Sequence, residues 1–412
     1  MKKRILVLCK TERNRTPYDK WAKEANVDIV ILTDKKYYDT YLPYVEKTFL
    51  IENYDTATSS IIEMAQKIHE TLPIDYVFCR AEVDVIRAAQ IRERLGLPGQ
   101  NQRSAIAFRD KFEMKKAVSK SSVAIPKFEE VSSLQKLLRF SETHGFPLIV
   151  KPKLASGSSG IEKIGSRIQL EDWFNSHASQ ADSYLVESFV SGKMYHVDGF
   201  VRDGKVAFIQ PFEYINDCLS YRDDMFIGNV PVSDKHAVFE ALCSSTKEVI
   251  SALPFTEHFP FHCELWIEDS GQIVFCEIAS RTGGGMISFL VKEAFDVNID
   301  KECFLAECKV IKPFTAKQPS GVFGAICIPP RSGRLLNHPN SLPQSVVFEH
   351  FTGELGSLYF GGEKSGLYLY GFILSVSSRD NLIEDFEKCY SSIHCNSLWE
   401  QNDKTVCAAY EC

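Results

Sequence analysis

The sequence predicts a mixed α/β and α+β protein, in which a small parallel α/β unit leads into a larger region of mostly antiparallel sheet. Two observations carry this reading. Up to about residue 97, apolar runs alternate with helix-like segments, whereas beyond residue 183 strand-like runs follow one another across Asp-Gly or Ser-Gly turns. A chain of 412 residues exceeds what one hydrophobic core holds, so several packed subdomains are expected.

The first element is RILVLC. Its apolar core, Ile5–Cys9, is too short for a signal segment or a membrane span despite the basic MKKR before it, so it reads as a buried strand of a cytoplasmic protein that meets no membrane. VDIVIL at Val27–Leu32 and IDYVFC at Ile74–Cys79 continue the sheet, with a helix at Ser59–Thr71 between them. The segment Lys10–Thr16 after the first strand holds no glycine, which removes the fingerprint that a dinucleotide-dependent oxidoreductase requires. AEVDVIRAAQIRERLGLPG has helical spacing and stops at Gly96 and Pro98, closing a first domain over residues 1–97.

A second unit, 98–182, contains a helix around Ser104–Ser119 and the strand FPLIVKP at Phe146–Pro152. A third, 183–311, carries the strands SYLVESFV, MYHVDGFVRDGKVAFIQPF and FHCELWIEDSGQIVFCEIA, a helix near His236–Ser251 and another over Ala294–Lys309. The remainder, 312–412, is an α+β extension with strands GVFGAICIP and GLYLYGFILSVS and a helix at Arg379–Ser392. Basic residues are interspersed among the acids and the formal net charge is −7, so there is no basic stripe for a nucleic acid to follow. The thirteen cysteines are scattered and form no CxxC pair, which favours reduced, buried thiols over a disulfide framework or a zinc site.

The chemistry-bearing residues cluster in a few short stretches. Lys111 stands in RDKFEMKK, and Lys151 ends the strand LIVKP and is delivered to the loop ASGSSG, where a compact ammonium meets polyphosphate well. In that loop Gly157 and Gly160 let backbone N–H groups approach phosphate oxygens, and Ser158 and Ser159 add hydroxyl donors; it is not a Walker loop, since no GK[ST] follows. Glu264 and Glu277 lie on successive strands and can supply hard oxygens to a magnesium ion from rigid elements. Arg281 precedes Gly283, Gly284 and Gly285, and either its guanidinium neutralises charge developing on a transferring phosphoryl group while bare backbone admits a substrate, or it closes a turn. His262 either lines the same pocket or is a satisfied structural histidine. The segment Tyr214–Val230, with Asp217, Arg222, Asp223 and Asp224, is either a zwitterion-binding stretch or a polar surface loop.

The order RDKxxMK, FPLIVKP with SGSSG, YLVESFVSG, HCEL and CEIASRTGGG resembles the ATP-grasp superfamily, and within it the bacterial L-amino-acid ligases, over about residues 75 to 300. The resemblance implies an ATP-grasp fold with a Rossmann-like domain before it, ATP and magnesium or manganese as cofactors, and formation of an amide from a carboxylate and an amine, with amino acids as substrates. It implies that Lys111 and Lys151 contact the phosphates and adenine, and that Ser158, Ser159 and Gly160 close over the phosphates. Glu187 would begin the hinge framing the adenine, with Phe189 and Val190 beside it. Glu264 and Glu277 would hold the metal, Arg281 would stabilise the transferred group, and Glu82 would stand near the substrate amine. Two positions depart from the family pattern. Met194 replaces the ribose-binding glutamate, leaving Lys193 or His196 for that contact, and Ala279 replaces an asparagine ligand, which bears on a second metal ion. A carrier protein as amine donor and a degenerate nucleotide-binding regulatory module are the competing readings; a homodimer is the default assembly.

Overall fold

The structure, a computed structural model, describes residues 2–400 apart from 363, 396 and 397; residues 401–412 of the region expected over 312–412 lie outside the described residues. Four parallel strands, Arg4–Cys9, Asp28–Thr33, Thr48–Leu50 and Tyr76–Cys79, form the N-terminal sheet. In space the third lies outside the second, the second beside the first, and the fourth on the first strand's other side. Ile5, Leu6, Val7 and Leu8 are all fully buried, because helices cover both faces, and this explains an apolar run without alternation. The helix Asp84–Leu95 ends on Gly96, whose φ of +65° closes it in the left-handed region.

A second, four-stranded sheet pairs Phe128–Glu130 with Tyr184–Ser188, then Leu148–Pro152, then Glu162–Ile164, all antiparallel. Helices Leu134–His144 and Arg167–His177 cover one face, burying Leu137, Phe140, Leu170 and Trp173 against Leu148, Val150 and Val186. The third sheet has eight strands. From one edge they are Ile273–Ala279, Phe259–Ile267, Lys193–Arg202, Lys205–Ile215, Ile227–Pro231, Val322–Ile328, Tyr370–Val376 and Val346–Phe351. Strands from beyond residue 312 thus prolong the sheet begun near residue 193.

Two expected helices are each divided. Ser104–Ser119 becomes Gln102–Ala107 and Lys111–Val118, because Asp110 caps the second by accepting from the backbone N–H groups of Phe112 and Glu113. Ala294–Lys309 becomes Ile287–Phe295 and Ile299–Glu307; Asp296 turns left-handed at φ +57° and Asn298 caps the next helix. The second of these helices joins the N-terminal unit to the rest, since Phe304 packs among Tyr18, Trp21 and Phe78 in one shared core. Among the described residues the cysteines form no disulfide, and no described helix is long and apolar enough to cross a membrane.

Candidate active site

The four-stranded and eight-stranded sheets face each other across a cleft of about 600 Å³, a size suited to a small-molecule ligand. On the small-sheet side Lys151 leaves its strand with its ammonium only 3.0 Å from Glu187, and Lys115, one helical turn after Lys111, meets the other Glu187 oxygen at 3.1 Å. All three groups are buried. Burial opposes the charge on Glu187, but the two lysines outweigh it and hold its carboxyl below the usual range. Sequence reasoning missed Lys115, although its spacing of four from Lys111 on a helix that faces the cleft was a usable signal.

On the large-sheet side Glu264 and Glu277 are directly opposite partners in the antiparallel register. Two like charges so placed repel unless a cation compensates. The Lys111 ammonium does so for Glu277 at 3.3 Å while also donating to the Ala155 carbonyl at 2.6 Å. Burial raises the Glu277 pKa, but Lys111, Lys151 and Arg281 together bring it down to about 2. Glu264 accepts from the Tyr214 hydroxyl at 3.1 Å and lies 3.5 Å from His262 Nε2.

Behind these carboxylates is a buried polar chain. Asp198 binds His262 Nδ1 at 3.0 Å and His196 Nδ1 at 2.5 Å, and His196 Nε2 meets Asn229 Oδ1 at 2.8 Å. Burial disfavours the charged His262, but Asp198 and Glu264 override it and push its pKa up to about 10, so the ring is cationic at neutral pH. Gly283 is required here: a Cβ would stand 2.6 Å from an Asp198 carboxylate oxygen and 3.0 Å from His262 Nδ1.

The loop after Lys151 is constrained at three positions. Gly157 and Ser158 have φ of +63° and +58°, and at Gly160 a Cβ would meet the Pro152 ring at 2.8 Å. Ser158 and Ser159 line the cleft, whereas Gly160 shapes the loop from behind. Phe189 and Val190 line it at the hinge, Phe189 with Lys163 4.1 Å above its ring. Lys193, paired with Glu213, and Met194 are also at the wall.

Arg281, Gly284, Gly285 and His262 line the other end. Arg281 is held by Glu82, whose second oxygen takes Arg109 at 2.8 Å, so the Glu82 carboxylate stands behind the wall as the counter-ion of two guanidiniums. His196 likewise lies within the sheet, fully buried, and not at the cleft surface. Tyr214 and Cys218 do line the cleft, so the segment Tyr214–Val230 contributes to it, although its last part, from Ile227, is a strand of the large sheet.

A nucleotide-sized cleft between two antiparallel sheets, with lysines and a glycine loop on one and paired carboxylates on the other, is the arrangement of an ATP-grasp fold. Residues 144–289 match the family model described as an ATP-grasp domain. The chain is similar to the L-arginine-specific L-amino acid ligase of Bacillus subtilis, with 22% identity over 340 residues, covering 81% of this chain and 82% of that one. In three dimensions it is similar to the L-amino acid ligase from Bacillus licheniformis, with a TM-score of 0.77 and 18% identity over 95% of this chain and 97% of that one. It also resembles the carboxyaminoimidazole ribonucleotide synthase of Aspergillus clavatus, solved with ATP, at a TM-score of 0.73 and 13% identity over 95% and 98% of the two chains.

Proposed function

We propose that this chain is an ATP-dependent carboxylate–amine ligase that activates an amino-acid carboxylate as an acyl phosphate and couples it to an amine, releasing ADP and phosphate. The observation that carries this reading is the convergence of Lys111, Lys151, Glu264, Glu277 and Arg281 on one cleft.

A carboxylate is a poor electrophile because its leaving group would be oxide. Transfer of the γ-phosphoryl group to a carboxylate oxygen breaks the bond to ADP and makes phosphate the leaving group; attack by the amine then forms the amide and expels it. The protein's task is positioning and charge neutralisation. Lys151 and Lys111 place ammonium charge along the polyphosphate, and Ser158, Ser159 and the backbone of their loop supply hydrogen-bond donors. Arg281, fixed by Glu82, holds its guanidinium where charge grows on the transferred group. The bare backbone of Gly284 and Gly285 leaves room for the substrate.

A divalent cation fits the opposed carboxylates of Glu264 and Glu277, two hard oxygen donors whose mutual repulsion such an ion removes. Magnesium or manganese held there would neutralise phosphate charge. Met194 lines the cleft, and where the resemblance expects a ribose glutamate its apolar side chain offers packing in place of a hydrogen bond.

The test is phosphate release with ATP, magnesium and a matrix of paired amino acids. Release that needs two amino acids, with a dipeptide detected by mass spectrometry, is the expected result. Release only with one amino acid and a carrier protein would transfer the reading to carrier-bound amines, and no release at all would refute ligase activity.

A further inference from the structure

The carboxyl ends of two neighbouring strands of the N-terminal sheet bring together two guanidiniums, of which, among the described residues, only one is ion-paired with a carboxylate. Arg15 lies between the strand Arg4–Cys9 and the helix Tyr18–Glu24, and Arg80 directly follows the strand Tyr76–Cys79. These strands are parallel neighbours, with Leu8 opposite Cys79. The chain leaves the first strand toward one side and later returns to pair on its other side, so the gap between the two is where the winding reverses. Ligands of open parallel sheets bind at the carboxyl ends of the strands at such a reversal.

The two arginines are incompletely matched. Arg80 Nε donates to Asp300 at 2.8 Å, while its buried Nη2 has no partner. Arg15 Nη2 donates to the Gly285 carbonyl and the Ser288 hydroxyl, both at 3.2 Å, and its guanidinium lies 4.8 Å from the centre of the Phe289 ring. Its Nε is buried without an acceptor, and among the described residues Arg15 has no carboxylate partner. Burial, and after it the like charge of Arg80, pulls the Arg15 pKa down to about 10. A half-buried cation with a sealed donor and no ion-paired carboxylate is costly to keep. The location is also telling, because Gly285, which anchors Arg15 through its carbonyl, is itself part of the cleft wall. Arg281, Arg80 and Arg15 thus lead away from the reacting end, the first matched by Glu82, the second by Asp300 and the third by no carboxylate among the described residues.

We propose that Arg15 and Arg80 form a second carboxylate subsite, which holds the free carboxylate of the amino acid that attacks as the amine. A guanidinium presents paired donors suited to a carboxylate. The inference rests on the ligase reading and deepens it, since an amine tethered to a carrier through its carboxyl has no such group to offer. A side-chain carboxylate of the activated acid has the same chemistry and is the other source to distinguish.

The experiment compares the proteinogenic amino acids with the matching amino-acid amides as amine substrates, and neutral with dicarboxylic acids as the activated partner, in the wild type, Arg15→Gln and Arg15→Lys. Expected is a preference for the acid over its amide of roughly ten- to a hundredfold in kcat/KM, the worth of a hydrogen-bonded charge. Arg15→Gln should erase it with the KM for ATP unchanged, and Arg15→Lys should restore part of it. If the preference lost in Arg15→Gln is instead for dicarboxylic donors, the subsite stands and its ligand is the activated acid. A wild type that turns over acid and amide alike leaves the ligase intact and overturns the subsite, as does an Arg15→Gln variant that keeps the preference. Calorimetric binding of the same amino acids and amides separates the two claims. Binding of acids over amides without any turnover keeps the subsite and sinks the ligase, while equal or absent binding in an inactive protein sinks both. Should Arg15→Gln not fold, Arg15→Lys decides: a preference reduced below the wild type's supports the subsite, and an unchanged preference overturns it.

Discussion

The two walls of the cleft carry opposite imbalances of charge. On the small sheet, two buried lysines share Glu187, leaving one positive charge in excess; on the large sheet, Glu264, Glu277 and the buried Asp198 outnumber the cationic His262 beside Glu264 and the Lys111 that reaches across to Glu277. Neither wall is neutral by itself. What the difference teaches is that the cleft offers cationic groups on one wall and anionic groups on the other, which suits the metal-bound polyphosphate of the proposed function, while the buried share of each imbalance is what the fold must stabilise. Glu187 and the more solvent-accessible pair therefore respond differently to substitution.

The largest effect is expected from Glu187→Gln, which leaves two buried ammonium groups without a counter-ion. A loss of about 3–5 kcal/mol in urea unfolding is expected; a change below about 1 kcal/mol, on the order of a surface pair, would show that the wall tolerates its own excess. Next comes Arg281→Ala, which removes a donor aimed at developing charge and should lower kcat by roughly a hundred- to a thousandfold in phosphate release. Normal turnover in that variant contradicts the role of Arg281. Glu264→Gln, on the opposite wall, should raise the magnesium concentration for half-maximal activity by roughly ten- to a hundredfold, the range associated even with groups behind a metal ligand. An unchanged magnesium titration would place the ion elsewhere.

Asp84 supplies a control for the same principle. It is as buried as Glu187 but has one cation, Arg87 at 3.1 Å, in place of two, and here burial wins: its pKa rises from 3.8 to about 6. Because the folded value is the higher, the contribution of this group is fully present below about pH 3.8 and is lost as the pH climbs through about 6. Asp84→Asn should flatten the stability profile in that window by up to about 3 kcal/mol. A slope identical to that of the wild type would show that a single arginine suffices.

Much of the cleft was legible because its residues sit at strand ends and in glycine loops, where local pattern and chemistry coincide. Lys151, Glu264, Glu277 and Arg281 are of this kind, and all four line the cleft. Residues whose role depends on distant partners were harder to place. Glu82 and His196 carry the right chemistry, but the structure sets them behind the wall, among partners 199 and 33 residues away in sequence. Arg15 and Arg80 gave no local signal, since what distinguishes them is an incomplete set of partners, visible only once the chain is folded. The same holds for the fold. The parallel strands were evident from apolar runs, but three-residue strands such as Thr48–Leu50 and Glu162–Ile164 are too short for periodicity to register. The pairing of Ile227–Pro231 with Val322–Ile328 is non-local and lies beyond any pattern read along the chain.

That pairing has a consequence for any shortened version of the protein. A fragment ending at residue 311 retains every lysine, carboxylate and arginine of the cleft. It nevertheless removes the partner of Ile227–Pro231, whose residues Ile227, Gly228 and Asn229 are matched to Cys327, Ile326 and Ala325. The bared strand would present open backbone donors and acceptors to other chains, the usual start of edge-to-edge aggregation. The strands Val322–Ile328, Tyr370–Val376 and Val346–Phe351 thereby serve as a cover for the sheet that carries the carboxylates, and solubility is tied to a segment remote from the chemistry.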